Sequence, residues 1–284
     1  MIQLIINADD FGLHPLVNQG IIKGFTEGCL TSTSLLASGE AFDEAVALAK
    51  ENAQLGIGIH TAIVGGLKPV SNPKDVSSLL VDGHFPETYG EVVKRIVSGQ
   101  IDFNELYTEL DNQFRKIIDT GLPITHVDGH QHLHVLPEFL PMVISLCKKY
   151  KVHAIRLPGE FYPFLNGVHS FKRLIGKIGL SNCAERSRQL TTSAGLWSTT
   201  FFWGMMAGGQ MDQVHMNQIL NEVGKSTGSH EIMMHPGLDT TELSNHFTWG
   251  YHWQDELATL CSWETKQQIL AKGIKLINYG NLYE

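Results

Sequence analysis

Cysteine is scarce in this chain of 284 residues: Cys29, Cys147, Cys183 and Cys261 lie far apart, and none falls in a CxxC spacing. They read as free thiols of a reducing, cytoplasmic compartment. Long apolar runs are missing too. No stretch approaches the roughly 20 residues that span a bilayer. The opening "MIQLIINADDFG" lacks a basic leading segment and reads as a strand, not a signal peptide. Positive charge is thin: Lys and Arg never run beyond two in a row, and the formal net charge is −8. Nucleic acid and anionic membrane are therefore poor partners, whereas small neutral substrates stay open.

What is present is ordinary for a soluble globular protein, with 43% hydrophobic and 18% charged residues. The length accommodates one large α/β unit, and no compositional break divides residues 1–284. Apolar strand patterns ("LIINAD", "STSLLAS", "LGIGIH", "ITHVDGH", "HAIRLP", "HEIMMHPG", "IKLINY") alternate with helical ones. The helical patterns cover about 17–28, 41–51, 89–98, 103–119, 137–150, 168–179 and 212–224. Such alternation predicts a parallel sheet wrapped by helices, either a distorted (β/α) barrel of about seven strands or a doubly wound open sheet. One segment, Val64 to Glu87, is rich in Gly, Pro, Ser and Asp. A loop this long in a compact domain predicts a lid or binding loop.

The unusual polar residues fall at strand ends. Asp9 and Asp10 end the first strand, His60 the third, Asp128 and His130 the one that opens "THVDGHQHLH", Arg156 ends "HAIR", and His235 ends "HEIMMH". Carboxyl ends of parallel strands share one face, where barrel and open-sheet enzymes alike build their sites.

Asp with His suits a catalytic divalent ion, and a water bound to such an ion becomes a nucleophile near neutral pH. The histidine run cannot supply all its side chains to one ion, because residues two apart on a strand are separated by about 6.5–7 Å. His130, at the strand's end, reads as the ligand, and Asp128 as a carboxylate that orients an imidazole or another group of the site. His132 and His134 line the following loop, bonding to backbone or shaping the mouth, and His126 is structural. Of Asp9 and Asp10, one binds metal while the other accepts the proton of the water, with His235 across the site as proton donor. Aromatic residues at alternate positions in "HFTWGYHW" (Phe247, Trp249, Tyr251, Trp253) can stack on a sugar ring or serve core and interface. "FFW" at 201–203 leans toward core.

The ordered set "NADDFG", "GIH" at 58–60, "THVDGHQHLH" at 125–134, "RLP" at 156–158 and "MMHPG" at 233–237 resembles the YdjC-like carbohydrate deacetylases, which include the chitooligosaccharide deacetylases. "GGLKPV…LLVDGHF" is similar to the loop that follows that family's first metal histidine. The resemblance implies a distorted (β/α) barrel, often a homodimer, that removes acetyl groups from acetylated mono- or oligosaccharides with a divalent metal. Magnesium is expected first, with zinc, manganese and cobalt as alternatives. Carried onto this chain, it implies Asp10, His60 and His130 as metal ligands, Asp9 as base, His235 as general acid and Arg156 as the anchor of the base. Three rival readings are an amidohydrolase or phosphoesterase of the HxH type, a two-His-one-carboxylate iron oxygenase, and a non-catalytic sugar- or metal-binding protein. The first places its HxH near the first strand, where this chain has "DD". The second expects a double-stranded β-helix.

Overall fold

The structure, a computed structural model, describes residues 1–160 and 171–283. Its elements alternate as the sequence pattern requires. In order they are β1 (Ile2–Phe11), α1 (Pro15–Thr26), β2 (Ser32–Leu36), α2 (Phe42–Glu51), β3 (Gly56–Thr61), α3 (Tyr89–Val97), α4 (Phe103–Ile118), β4 (Ile124–Gly129) and α5 (Leu140–Tyr150). Then come α6 (Phe171–Ser193), β5 (Phe201–Trp203), α7 (Gln213–Val223), β6 (Gly228–Met234), α8 (Thr240–His246), α9 (Trp253–Cys261), α10 (Trp263–Ala271) and β7 (Ile274–Leu276).

The strands form one parallel sheet in the order β4-β3-β2-β1-β6-β5, with β7 paired to the first residues of β1. Single bridges extend both ends of this path. Val127 on β4 pairs with Ile155, Ala154 with Trp197, and Glu160 with Phe202 on β5. The sheet therefore curls into a barrel-like fold with helices around it, and the open-sheet alternative falls away.

Side-chain alternation gives the two faces different jobs. On β1, Leu4, Ile6 and Ala8 join the main apolar core, shared with the surrounding helices. Ile5 belongs instead to a small separate cluster with Ala154, Ile277 and Tyr279. Above that cluster, Asn7 and Asp9 are buried, as are Ser34, His126, Asp128, Arg156 and Glu231. This inner face is apolar only at its floor and polar toward the carboxyl ends of the strands.

Two expectations need correction, a strand and the extent of a helix. "HAIRLP" does not form a strand of its own: it contributes only the bridges at Ala154 and Ile155, because its hydrogen bonds are divided between Val127 and Trp197. "FFW", read as core, forms strand β5, and Phe202 and Trp203 are buried as expected. Helices α8, α9 and α10 fill a stretch that carries no clear periodic signal. The helix expected from Val168 is seen from Phe171 and runs to Ser193; its expected first residues lie outside the described ones.

Gly58 on β3 shows how tightly the interior is filled. A Cβ there would lie 2.4 Å from the His126 ring, which stacks on Tyr279 with centroids 3.9 Å apart. Gly58→Ala therefore overpacks the barrel and should cost about 1–3 kcal/mol of stability. Urea unfolding would register this as a lower midpoint at unchanged slope.

Candidate metal centre and active site

Two adjacent residues of one strand normally point to opposite faces. Asp9 and Asp10 escape this because β1 bulges: between Ala8 and Phe11 it advances three residues while β2 advances two. Asp10 takes a left-handed backbone conformation, φ +69°. The irregularity lets both carboxylates enter the site.

They meet different company. Asp10 Oδ1 lies 3.3 Å from His60 Nε2 and 3.0 Å from His130 Nδ1. These approaches are close without being aligned for hydrogen bonding: both Asp10 oxygens and His60 Nε2 are buried and have no hydrogen-bond partner among the described residues. Burial works to raise the Asp10 pKa, yet His130 and His60 hold it well below the usual carboxylate range. One ligand atom from each of Asp10, His60 and His130 lies within 4.8 Å of the others. One carboxylate and two imidazoles converging in this way, with the Asp10 oxygens and His60 Nε2 unpartnered among the described residues, are what a divalent cation needs, so these residues fit a metal ion. A second group, Asp9, His60 and Asp128, is equally compact. Its carboxylates are already committed to Arg156, and it fits an ion poorly.

Arg156 joins three carboxylates of the interior. Its guanidinium donates to both oxygens of Asp9 at 2.7 Å, contacts Asp128 Oδ2 at 2.9 Å, and donates from Nε to Glu231 Oε1 at 2.8 Å. Tyr279 donates its hydroxyl to the other Glu231 oxygen. Burial pushes Glu231 up to about 7 even though Arg156 pulls it down. Asp128 also meets Nδ1 of His60 at 2.7 Å and accepts from Ser34 at 2.6 Å. Burial would raise its pKa, but Arg156 and His60 hold it far below normal. Burial opposes a charge on His60 as well, while Asp128 and Asp10 raise its pKa to about 10.

His235 follows β6. Its backbone N–H donates to Glu256 of α9, whose Oε2 lies 3.7 Å from Nδ1. Burial acts to lower the His235 pKa, but Glu256, Asp9 and Asp10 leave it raised. The rest of the histidine run divides up. His134 Nε2 bonds the Arg156 carbonyl oxygen at 3.0 Å, and His132 packs edge-on against Phe202. His126 stacks on Tyr279, with Ser34 3.3 Å from its Nε2.

The loop after β3 and the aromatic segment after α8 wall the site. Gly65 (φ +87°) passes so close to His130 that a Cβ would sit 2.9 Å from Nε2. The Trp249 ring lies 4.9 Å from that of His130, and Tyr251 4.6 Å from that of His235. Trp253 is buried core.

The structure thus gathers Asp9, Asp10, His60, Asp128, His130, Arg156 and His235 at one mouth. Sequence reasoning missed Glu231 and Glu256. A carboxylate inside the apolar run "HEIMMH" is a visible signal for Glu231; Glu256 sits in an ordinary amphipathic helix and gives none.

Fold and site together define a parallel (β/α) barrel-like protein with an Asp/His group able to hold a metal ion at the carboxyl ends of its strands. The chain belongs to the YdjC-like family: the family model described as YdjC-like protein matches residues 3–271. A Clostridium beijerinckii protein named carbohydrate deacetylase is 32% identical over 281 residues, 99% of this chain and 100% of its own. An Enterobacter protein named chitooligosaccharide deacetylase is 28% identical over 282 residues, covering 98% of each chain. A crystal structure from Enterococcus faecalis, named for cellobiose-phosphate cleavage, aligns with a TM-score of 0.79 at 27% identity, covering 99% of this chain and 98% of that one.

The buried, neutral histidines give stability a pH dependence. Burial lowers the His126 pKa to about 3 and that of His134 to about 4, against 6.5 when free. Below pH 6.5 the unfolded chain takes protons that the folded one refuses, so these residues make stability fall with pH; Glu231, shifted upward, opposes them with one proton. His126→Phe keeps a ring against Tyr279 and removes one titration. Between pH 4 and 6 the slope of unfolding free energy should flatten by ~1.4 kcal/mol per pH unit, read from urea melts at successive pH.

Proposed function

We propose that this chain is a divalent-metal-dependent hydrolase that removes N-acetyl groups from acetylated carbohydrates such as chitooligosaccharides, releasing acetate and a free amino sugar. The observation that carries the reading is the convergence of Asp10, His60 and His130, with both Asp10 oxygens unpartnered among the described residues, beside an arginine-held carboxylate, Asp9, and a buried imidazole, His235. The relatives' names support the sugar amide as substrate.

Asp10, His60 and His130 hold the ion, magnesium in the first instance, with Asp128 fixing the His60 ring through Nδ1. When bound, a divalent ion supplies Lewis acidity toward the acetamide carbonyl and lowers the pKa of a water. Asp9 takes the proton of the attacking water. An ionised carboxylate offers about four lone-pair positions. Arg156 fills one on each oxygen and Asn7 a second on Oδ1, so Oδ2 is the atom left to receive the proton. His235, whose pKa Glu256 raises against the effect of burial, protonates the amine nitrogen as the C–N bond breaks.

Arg156 supports the assignment of Asp9 as base and Asp10 as ligand. A carboxylate gripped by a guanidinium is positioned but occupied, whereas Asp10 has both oxygens open to a cation.

Chelator-treated protein should release no acetate from N,N'-diacetylchitobiose, and adding back magnesium, zinc, manganese or cobalt singly should restore it. His130→Ala should lose metal binding and turnover together. Asp9→Asn should retain metal binding and lose turnover by about 10²–10⁴-fold. Metal binding without acetate from any acetylated sugar would defeat the deacetylase reading. A separate check is the pH profile: the rate should fall as pH rises through the raised His235 pKa, and His235→Asn should abolish that alkaline limb along with most of kcat.

A further inference from the structure

Two fully buried groups take no part in the reaction as described so far: Glu231 on β6 and Tyr279, which follows β7. Glu231 is opposite Ile5 in the register of β1 and β6, two inward positions below Asp9 on the neighbouring strand. It meets Tyr279 of the apolar floor cluster, a costly place for a carboxylate.

Charge balance does not account for it. Arg156 already meets Asp9 and Asp128, so a third carboxylate leaves the group with excess negative charge, and burial pushes Glu231 up to about 7. Donor geometry does account for it. A guanidinium carries its five N–H donors in one rigid plane. Asp9 takes one from Nη1 and one from Nη2, Asp128 lies at Nη1, and Nε, on the stem side of the plane, goes to Glu231 at 2.8 Å. With Nε and the Nη pair both held, the plane cannot swing about its stem. The Asp9 carboxylate that lies across the Nη pair is fixed with it.

Tyr279 fixes Glu231 in turn. Its hydroxyl donates to Glu231 Oε2. Burial and the Glu231 charge hold that hydroxyl well above the usual tyrosine range, so it stays a donor. The ring stacks on His126, with centroids 3.9 Å apart and planes 11° from parallel, and the Tyr279 backbone N–H donates to Ser32 Oγ. Tyr279 lies beyond residue 271, where the match to the family model ends. The segment after β7 is thus tied to the base in series, from Tyr279 to Glu231 to Arg156 to Asp9.

Resting on the deacetylase reading, we propose that Glu231 and Tyr279 are positioning residues of that reaction: through Arg156 they set the Asp9 carboxylate so that Oδ2 faces the attacking water.

Glu231→Met removes the acceptor, Tyr279→Phe removes the hydroxyl but keeps the stack on His126, and Glu231→Gln keeps an acceptor for Nε. With metal-loaded protein and N,N'-diacetylchitobiose, Glu231→Met should lower kcat by about 10–100-fold and Tyr279→Phe by about 3–10-fold, at little change in KM. Glu231→Gln should stay within about threefold of the unmodified enzyme. Acting through Asp9, Glu231→Met and Tyr279→Phe should add no loss in an Asp9→Asn background. A lower urea midpoint with kcat unchanged per folded, metal-loaded protein overturns the proposal, as does an equal further loss in the Asp9→Asn background. If Glu231→Met fails to fold, Tyr279→Phe carries both comparisons. Crystal structures of the unmodified protein and of Tyr279→Phe give a readout free of turnover: the Asp9 carboxylate should turn in the variant, and an unchanged Asp9 overturns the positioning. A turned Asp9 in a protein that releases no acetate upholds the positioning and sinks the hydrolase reading alone.

Discussion

One buried guanidinium organises the interior. Arg156 has no solvent exposure and serves three carboxylates, Asp9 on β1, Asp128 on β4 and Glu231 on β6. Desolvating four charged groups is costly, and the arrangement holds only because their hydrogen bonds are met together. Removing the cation would strand three anions at once. The same side chain also solves a problem of topology. The segment 154–156 pairs with its neighbours through two single bridges, too little to hold it as a strand. The ion pairs reach across the barrel to strands on both sides, so closure of the sheet and orientation of Asp9 are one interaction.

Asp10 is the exception that gives the site its chemistry. Its neighbour is gripped by Arg156, whereas Asp10 is turned away by a bulge and a left-handed backbone, a conformation that costs a non-glycine residue about 1–3 kcal/mol. It faces two imidazoles with its oxygens unpartnered. A fold optimised only for stability would not bury a carboxylate this way. Strain and unmet hydrogen bonding at one residue, beside a neighbour that accepts three hydrogen bonds, single out Asp10 as a position able to take a cation.

Much of this was legible before the structure, for a physical reason. Parallel strands share a direction, so polar residues that end apolar runs must gather at one face; Asp9, Asp10, His60, Asp128, His130, Arg156 and His235 obeyed that rule. What escaped were features with no local signature. Strand β5 is three residues long, and its apolar letters suit a core helix equally well. "HAIRLP" looks like a strand, but its pairing is split between β4 on one side and Trp197 on the other, so only bridges form. Helices α8 to α10 were missed because short helices in a stretch crowded with aromatics and polar residues carry weak periodicity. Glu256 acts through a backbone N–H, a role any helix glutamate can hold and none advertises.

The histidine run shows how even spacing can mislead and instruct at once. His126, Asp128 and His130 alternate like one strand face, but β4 ends at Gly129, and Gln131 and His132 take left-handed backbone angles. The alternation therefore breaks where a strand would have continued it. His130 is delivered to Asp10, while His134 folds back to the Arg156 carbonyl. Burial holds His126, His132 and His134 below their ordinary pKa, so these rings are neutral at pH 7. That neutrality matters beside Arg156. Three more positive charges would compete with it for the carboxylates and would repel a cation at Asp10. The run supplies hydrogen-bonding rings that pack like aromatics, and it leaves the positive charge around the carboxylates to Arg156, His60 and His235, whose pKa values their acidic neighbours raise.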